Sequence, residues 1–188
     1  MRKILLSCIV FLIASCSPAY ADNRSQSSVG DVIATQVEST RVNRVGVMTE
    51  FLYRSMNKRQ SREFIRGVVM NSIKLAGRHN ILDHEMILAI ISVESHFKPN
   101  AENNGSFGLM QVEGKSHPEK IRGRDIFNVY INMEVGSAIY LEYYKKYPDK
   151  RSALLSYNAG PANFRKGNFN EEYYTKVITV YNSLMALR

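Results

Sequence analysis

The sequence predicts a mainly α-helical protein with one globular domain, and three observations support this. A chain of 188 residues, of which 45% are apolar, suits a single domain of ordinary size. Apolar residues recur at three- and four-residue spacings from residue 61 onward, whereas strand-like alternation of apolar and polar residues is scarce. The apolar and charged fractions match those of average soluble domains, so they indicate neither global disorder nor several membrane spans.

The net charge of +8 suits an anionic polymer such as nucleic acid, membrane lipid or cell wall. Its sign alone does not choose among these partners. The sequence contains no block of Lys and Arg interleaved with aromatic residues, so nothing favours nucleic acid. We therefore expect no nucleic-acid partner.

Residues 1–21 have the layout of an export signal: two basic residues, an apolar run over residues 4–14, and small residues ending in Ala19-Tyr20-Ala21. Both cysteines, Cys8 and Cys16, lie in this segment, so a mature chain without it has no disulfide. Cys16 also ends a stretch that resembles a bacterial lipoprotein box. We favour cleavage after Ala21. The alternative is lipidation of Cys16, which would anchor the protein to a membrane.

Residues 22–60 are predicted to be a linker and N-terminal extension ahead of a domain at 61–188. The stretch 22–30 is polar and small, and we expect it to be disordered. From residue 31 to 60 the pattern is mixed, with some helical faces and no clear stops. We assign this part no function.

The periodic part of the chain predicts five helices. Their expected ranges are 61–78, then 84–96 behind a possible N-cap at Asp83, then 132–147 with Asn132 as cap, then 149–159 stopped by Gly160-Pro161, and finally 171–187. The second is the most apolar, so it should be central and buried.

Glu94 is the candidate catalytic residue. It follows Ile87, Ile90 and Ile91 at helical spacing, so it lies on a buried stripe. A Glu is rarely buried without a reason. Burial disfavours the charged form, and so does a place in the last turn, near the negative end of the helix dipole. Both effects predict a raised pKa, and a carboxyl that stays protonated near neutral pH can act as a general acid.

Several motifs in order resemble the lytic transglycosylases of the soluble (SLT) type, in the lysozyme-like superfamily. They are Glu94-Ser95 after an apolar helix, Gly105-Ser106-Phe107-Gly108-Leu109-Met110-Gln111, Asn132 to Gly136 leading into Tyr140-Leu141, Ser156-Tyr157-Asn158-Ala159-Gly160, and a weaker match at Tyr173. The resemblance covers about residues 62–188. It implies a lysozyme-like catalytic domain of a periplasmic enzyme that cleaves peptidoglycan and leaves 1,6-anhydromuramic ends.

The resemblance also implies roles for single residues, with Glu94 as the catalytic acid. The implied substrate-binding residues are Ser95, Gly108, Met110, Gln111, Tyr157, Asn158 and Tyr173. In this scheme Gly108 allows a tight backbone, Met110 gives a sugar an apolar wall and Tyr173 hydrogen-bonds the acid. Tyr174 is the neighbouring candidate for that last role. Asn132 and Gly136 are interpreted as structural, a helix cap and a close helix contact.

No metal or cofactor is expected. His79, His84, His96 and His117 have no metal-like spacing and are interpreted as surface residues. Glu102 stands where many relatives carry Ser, and we interpret it as a solvated loop charge.

Two alternatives stay open. One is a lysozyme-type hydrolase, for which Glu102, Glu113 or Asp125 would supply a second carboxylate. The other is a non-catalytic wall-binding assembly component. The expected partner is the peptidoglycan glycan strand, during wall remodelling or while the wall is opened for a secretion, conjugation or flagellar machine.

Overall fold

The computed structural model describes residues 29–56, 59–80 and 82–187, which form eight helices and three short strands. In chain order the elements are α1 (Val29–Ser55), α2 (Arg62–Ala76), α3 (His84–Glu94), β1 (Glu102–Asn103), β2 (Ser106–Phe107), β3 (Val112–Glu113), α4 (Pro118–Ile121), α5 (Val129–Lys146), α6 (Lys150–Ala159), α7 (Pro161–Arg165) and α8 (Glu171–Met185). The predicted mainly α architecture is confirmed. Within these ranges no helix is long and apolar enough to cross a membrane. The proposed signal and Cys16 lie outside the described residues.

The core is organised around α3, which packs against α2 and α8. All residues from 85 to 92 of α3 are buried, as its strongly apolar sequence predicted, and the buried set includes the polar Glu85 and Ser92. Helix α8 turns one stripe toward it, formed by Tyr173, Val177, Tyr181 and Leu184. This spacing of four, four and three residues keeps one face of a helix in contact with its neighbour.

Helix α1 is a finding that the sequence did not provide. Its 27 residues include Val29 and Gly30, which were expected in a disordered linker; residues 22–28 of that linker lie outside the described ranges. The half before residue 44 is exposed, so its few apolar side chains do not follow a buried stripe. The second half packs against α2, with Met48 and Leu52 fully buried. This half is part of the folded domain.

An ion pair fastens α1 to the central helix. Arg44 of α1 donates to the carboxylate of Glu85 in the first turn of α3, and the Glu85 side chain is fully buried. His84 Nδ1 lies 3.3 Å from the same carboxylate. Because a buried carboxylate is costly without a partner, Arg44 fixes where α1 meets the domain.

Capping side chains mark the starts of three other helices. The side chains of Ser61, Asp149 and Asn170 accept from backbone N–H groups in the first turns of α2, α6 and α8. Asp83 precedes α3, as predicted, but its carboxylate accepts from the Tyr181 hydroxyl at 2.8 Å and makes no cap hydrogen bond.

The assignment of Asn132 as a cap is wrong. Helix α5 begins four residues earlier, behind Asn128, whose side chain accepts from the N–H groups of Tyr130 and Ile131. Asn132 is therefore inside the helix and buried, where its amide binds another part of the chain.

The three strands form one antiparallel sheet in the order β1-β2-β3. Asn103 pairs with Ser106, and Ser106 pairs with Glu113 on its other side. Two-residue strands are too short to give a periodic signal in the sequence, which explains why none was predicted.

Candidate active site

An open cleft of about 730 Å³ separates the small sheet from the helices that follow it. Residues of the sheet and its turns line one side, including Asn103, Ser106 and Glu113. Residues of α5, α6 and α7 line the other side, including Tyr143 and Asn163. Helix α3 ends in this cleft, so its last residue reaches the space between the two walls.

That last residue is Glu94. Burial raises the pKa of its carboxyl from 4.5 to about 7, and a hydrogen bond from Tyr173 acts in the opposite direction. The Tyr173 hydroxyl donates to Glu94 Oε1 at 2.7 Å. Near neutral pH the protonated and ionised forms of Glu94 are therefore both populated. This suits a group that gives and takes a proton.

Tyr173 remains a hydrogen-bond donor to Glu94 because its hydroxyl keeps its proton. Burial raises the pKa of Tyr173 well above its usual value, and the neighbouring Glu94 raises it further. The phenol stays protonated at any pH at which Glu94 titrates. Tyr173 thus orients the carboxyl without adding a charge. Tyr174, the alternative candidate, makes no hydrogen bond to Glu94 in the described part of the chain.

The loop at residues 105–111 is held by Asn132. The Asn132 side-chain oxygen accepts from Met110 N at 2.8 Å, and its nitrogen donates to the carbonyls of Phe107 at 2.8 Å and Ile126 at 3.0 Å. A buried amide with three such bonds replaces backbone pairing that an irregular loop cannot make for itself.

Two glycines allow this approach. Gly108 has a φ of +73°, and a Cβ built on it would lie 2.7 Å from Asn132 Cγ. Gly136 of α5 faces the Met110 side chain, and a Cβ there would lie 2.6 Å from Met110 Cβ. Gly108 has the expected tight backbone, and Gly136 makes a close contact of α5 with the loop residue Met110.

A second hydrogen bond fixes the loop from α6. The Tyr157 hydroxyl donates to the carbonyl of Met110 at 2.8 Å. Gln111 follows with a φ of +47°, and its amide nitrogen donates to the carbonyls of Ala101 and Gly108. Because the donors of the Gln111 amide are used inside the loop, its side chain is held in place at the cleft.

Residues 71–178 match the family model of the transglycosylase SLT domain, which is more than half of the chain. The chain belongs to this family. It is also 28% identical over 123 residues to lysozyme g of Struthio camelus, an alignment that covers 56% of this chain and 60% of that protein. The chain thus spans less than two thirds of that relative's length. Both comparisons support the lysozyme-like fold.

The SLT domain brings four of the predicted residues to the acid or the cleft wall. Gln111, Tyr157 and Asn158 line the cleft together with Glu94, and Tyr173 touches Glu94 directly. These residues come from a loop and two helices. Only the tertiary structure places them together.

Three other predicted residues support the cleft without lining it. The Met110 side chain is fully buried against Gly136, which corrects its assignment as an apolar wall for a sugar. Ser95 is buried, and its hydroxyl donates to the Ile91 carbonyl at 3.2 Å, so it ends α3 and does not face the cleft. Gly108 contributes its backbone conformation.

Several cleft residues were missed from the sequence: Asn103, Asn104, Ser106, Ser116, Tyr143 and Asn163. Polar residues in loops give no signal of their own, because solvated loops have the same composition. His117 was interpreted as a surface residue, but it also lines the cleft, where burial lowers its pKa.

The three candidates for a second carboxylate differ in their position relative to the cleft. Glu113 lines the cleft with Glu94 and accepts a hydrogen bond from Ser116, whereas Glu102 and Asp125 do not line it. Asp125 accepts from Phe127 N in its own turn, and Glu102 is exposed on β1. In the described part of the chain, no group of three or more His, Cys, Asp or Glu could hold a metal ion.

Proposed function

We propose that this protein is a peptidoglycan lytic transglycosylase with Glu94 as its acid. The reaction cleaves the β-1,4 bond between N-acetylmuramic acid and N-acetylglucosamine and closes a 1,6-anhydro ring on the muramic acid. The main support for this proposal is that burial raises the pKa of Glu94 to about 7 at an open, polar cleft. Family membership supports the substrate class.

The chemistry needs one carboxyl in two roles. Protonated Glu94 donates its proton to the glycosidic oxygen, so that the bond to the muramic acid anomeric carbon breaks and the N-acetylglucosamine leaves as an alcohol. The Glu94 carboxylate then takes the proton of the muramic acid 6-hydroxyl, whose oxygen attacks that anomeric carbon. The acid is regenerated, and no water is consumed. The nucleophile belongs to the reacting ring, so proximity favours this route.

The lining of the cleft suits a glycan. Amide and hydroxyl groups dominate it, and no Lys or Arg is among the described residues that line it. We assign Asn158 and the side-chain oxygen of Gln111 to contacts with sugar hydroxyl and acetamido groups, because the Asn158 amide both donates and accepts hydrogen bonds and the Gln111 oxygen accepts them. Tyr157 and Tyr173 hold the loop and the acid in place. Gly108, Met110 and Ser95 act through the backbone and the core.

Hydrolysis of the lysozyme type is the second candidate, and Glu113 favours it. A second carboxylate can activate a water against the same oxocarbenium-like centre. Glu113 is the other carboxylate among the described cleft residues, and the Ser116 hydroxyl already binds it. Cyclisation requires no such group, so the products decide between the two reactions.

Mass spectrometry of the muropeptides released from purified sacculi is the test. We expect 1,6-anhydromuramic ends, which weigh one water less than free reducing ends. Dominant reducing ends would replace our proposal with hydrolysis, and their loss in Glu113→Gln, with Glu102→Gln as control, would then identify the base. If neither product forms but sacculi are bound, the protein is the non-catalytic wall component considered above.

We also propose that the enzyme is exported and acts in the periplasm. The basis is the signal-like layout of residues 1–21, and the mature chain would start at Asp22 or at a lipidated Cys16. The intact mass of the mature protein distinguishes the two starts. Wall remodelling and local opening of the wall for an envelope-spanning machine both fit this activity.

A further inference from the structure

A basic surface continues the cleft at α7. Its cations are Arg165, the last residue of α7, and Lys166, which caps the helix; we call them the α7 cations, and both are exposed. Ala162 and Asn163 of α7 line the cleft. Residues three and four positions apart share a face of a helix, so the α7 cations lie one turn beyond the cleft wall.

An aromatic cluster holds this helix in place. The Phe164 ring packs 5.1 Å from that of Tyr147 at the end of α5 and 5.5 Å from that of Phe169, measured between centroids. Gly160 and Gly167, both with a φ of +76°, let the chain turn at either end of the segment. A short helix held in this way presents its cations at a fixed place relative to the cleft.

The segment that contains α7 carries positive charges only. Residues 159–170 include the two α7 cations and no carboxylate. Arg151 lies 5.6 Å from the centre of the Phe169 ring, but Glu171 neutralises it in an ion pair. No ion pair of the α7 cations occurs within the described part of the chain. Their charge is therefore available to a ligand.

We propose that Arg165 and Lys166 bind carboxylates of the peptide stems that project from the glycan strand. This inference rests on the proposed function, because the strand must lie in the cleft. The cleft itself carries the carboxyl of Glu113 and no described Lys or Arg, so it offers an anionic stem no cation. The basic surface one turn away attracts it. Guanidinium and ammonium groups are suited to carboxylates.

The test changes only the charge of the stems. Carbodiimide coupling with ammonium converts the stem carboxylates of purified sacculi to amides and leaves the glycan intact. Binding of the purified protein is measured by cosedimentation with untreated and with amidated sacculi, and release of muropeptides is measured on both. Binding does not require turnover, so it tests this inference even if the proposed reaction is wrong.

For the wild-type protein we expect binding about three- to tenfold weaker after amidation, as two exposed charge contacts would give. The double variant Arg165→Gln/Lys166→Gln should bind both materials equally, at the level of wild type on amidated sacculi. Arg41→Gln/Arg66→Gln removes the same charge from exposed positions on α1 and α2, and it should keep the wild-type dependence.

Three outcomes would overturn the inference. The α7 double variant could keep the wild-type dependence on stem charge. The control double variant could lose it as well, which would indicate attraction by net charge alone. Finally, the α7 variant could bind untreated sacculi normally but lose binding to anionic lipid vesicles, which would make a membrane surface the ligand.

Discussion

Replacing Glu94 with Gln should stabilise the protein, and the gain should grow with pH. The raised pKa means that the folded protein keeps this proton between pH 4.5 and about 7, where the unfolded chain has lost it. Stability therefore falls as pH rises through this window. From the two pKa values, the cost of the ionisable group is about 1 kcal/mol at pH 5 and about 3 kcal/mol at pH 8.

A glutamine at residue 94 does not titrate, so it does not have the ionisation cost of the buried carboxyl. Its side-chain oxygen can still accept the hydrogen bond from Tyr173, and its volume matches that of the glutamate it replaces. The variant should therefore exceed the wild type in free energy of unfolding by about 2 kcal/mol more at pH 8 than at pH 5.

Urea unfolding of both proteins at several pH values between 5 and 8 measures this difference. Every other titrating group is common to the pair, so its contribution cancels. A difference that stays constant over this range, or a wild type that is the more stable protein at pH 8, would refute the reasoning about a buried, protonated acid.

The same variant should be inactive on sacculi. Its amide cannot donate a proton to the glycosidic oxygen or reclaim one from the hydroxyl. Residual release of muropeptides above about a hundredth of the wild-type rate would place the acid elsewhere.

Two further predictions concern the supports of the site. Tyr173→Phe removes the hydrogen bond that lowers the pKa of Glu94, so the alkaline limb of the pH–rate profile should move to higher pH. The rate should also fall. An alkaline limb at the same pH would contradict the assigned contact. Gly108→Ala should cost about 1–3 kcal/mol more in urea unfolding than Gly105→Ala. Both glycines have a positive φ, but only the Cβ at residue 108 would meet Asn132; equal costs would show that the loop yields.

The helices and the position of Glu94 at the end of the central helix were within reach of the sequence. Apolar spacing locates α2, α3 and α8 to within two residues at each end, because burying one face imposes a helical period. Glu94 was predicted from that period, since a carboxyl among Ile87, Ile90 and Ile91 requires an explanation.

Local patterns failed where the partner of a residue is distant in sequence. Asn132 has the residue type of a helix cap, but its oxygen accepts from Met110 N, 22 residues away. The first half of α1 is exposed, so it has no stripe to detect. Its second half packs on α2 and pairs Arg44 with Glu85, 41 residues away.

The sequence by itself determined which residues form the central helix and that its last turn carries an acid. Only the tertiary structure decided that Tyr173, and not Tyr174, donates to that acid, that Met110 fills the core, and that Glu113 shares the cleft while Glu102 does not. The physical reason is the range of the interactions. Helical periodicity is written into neighbouring residues, whereas a cleft is formed by side chains that meet only after distant segments have packed.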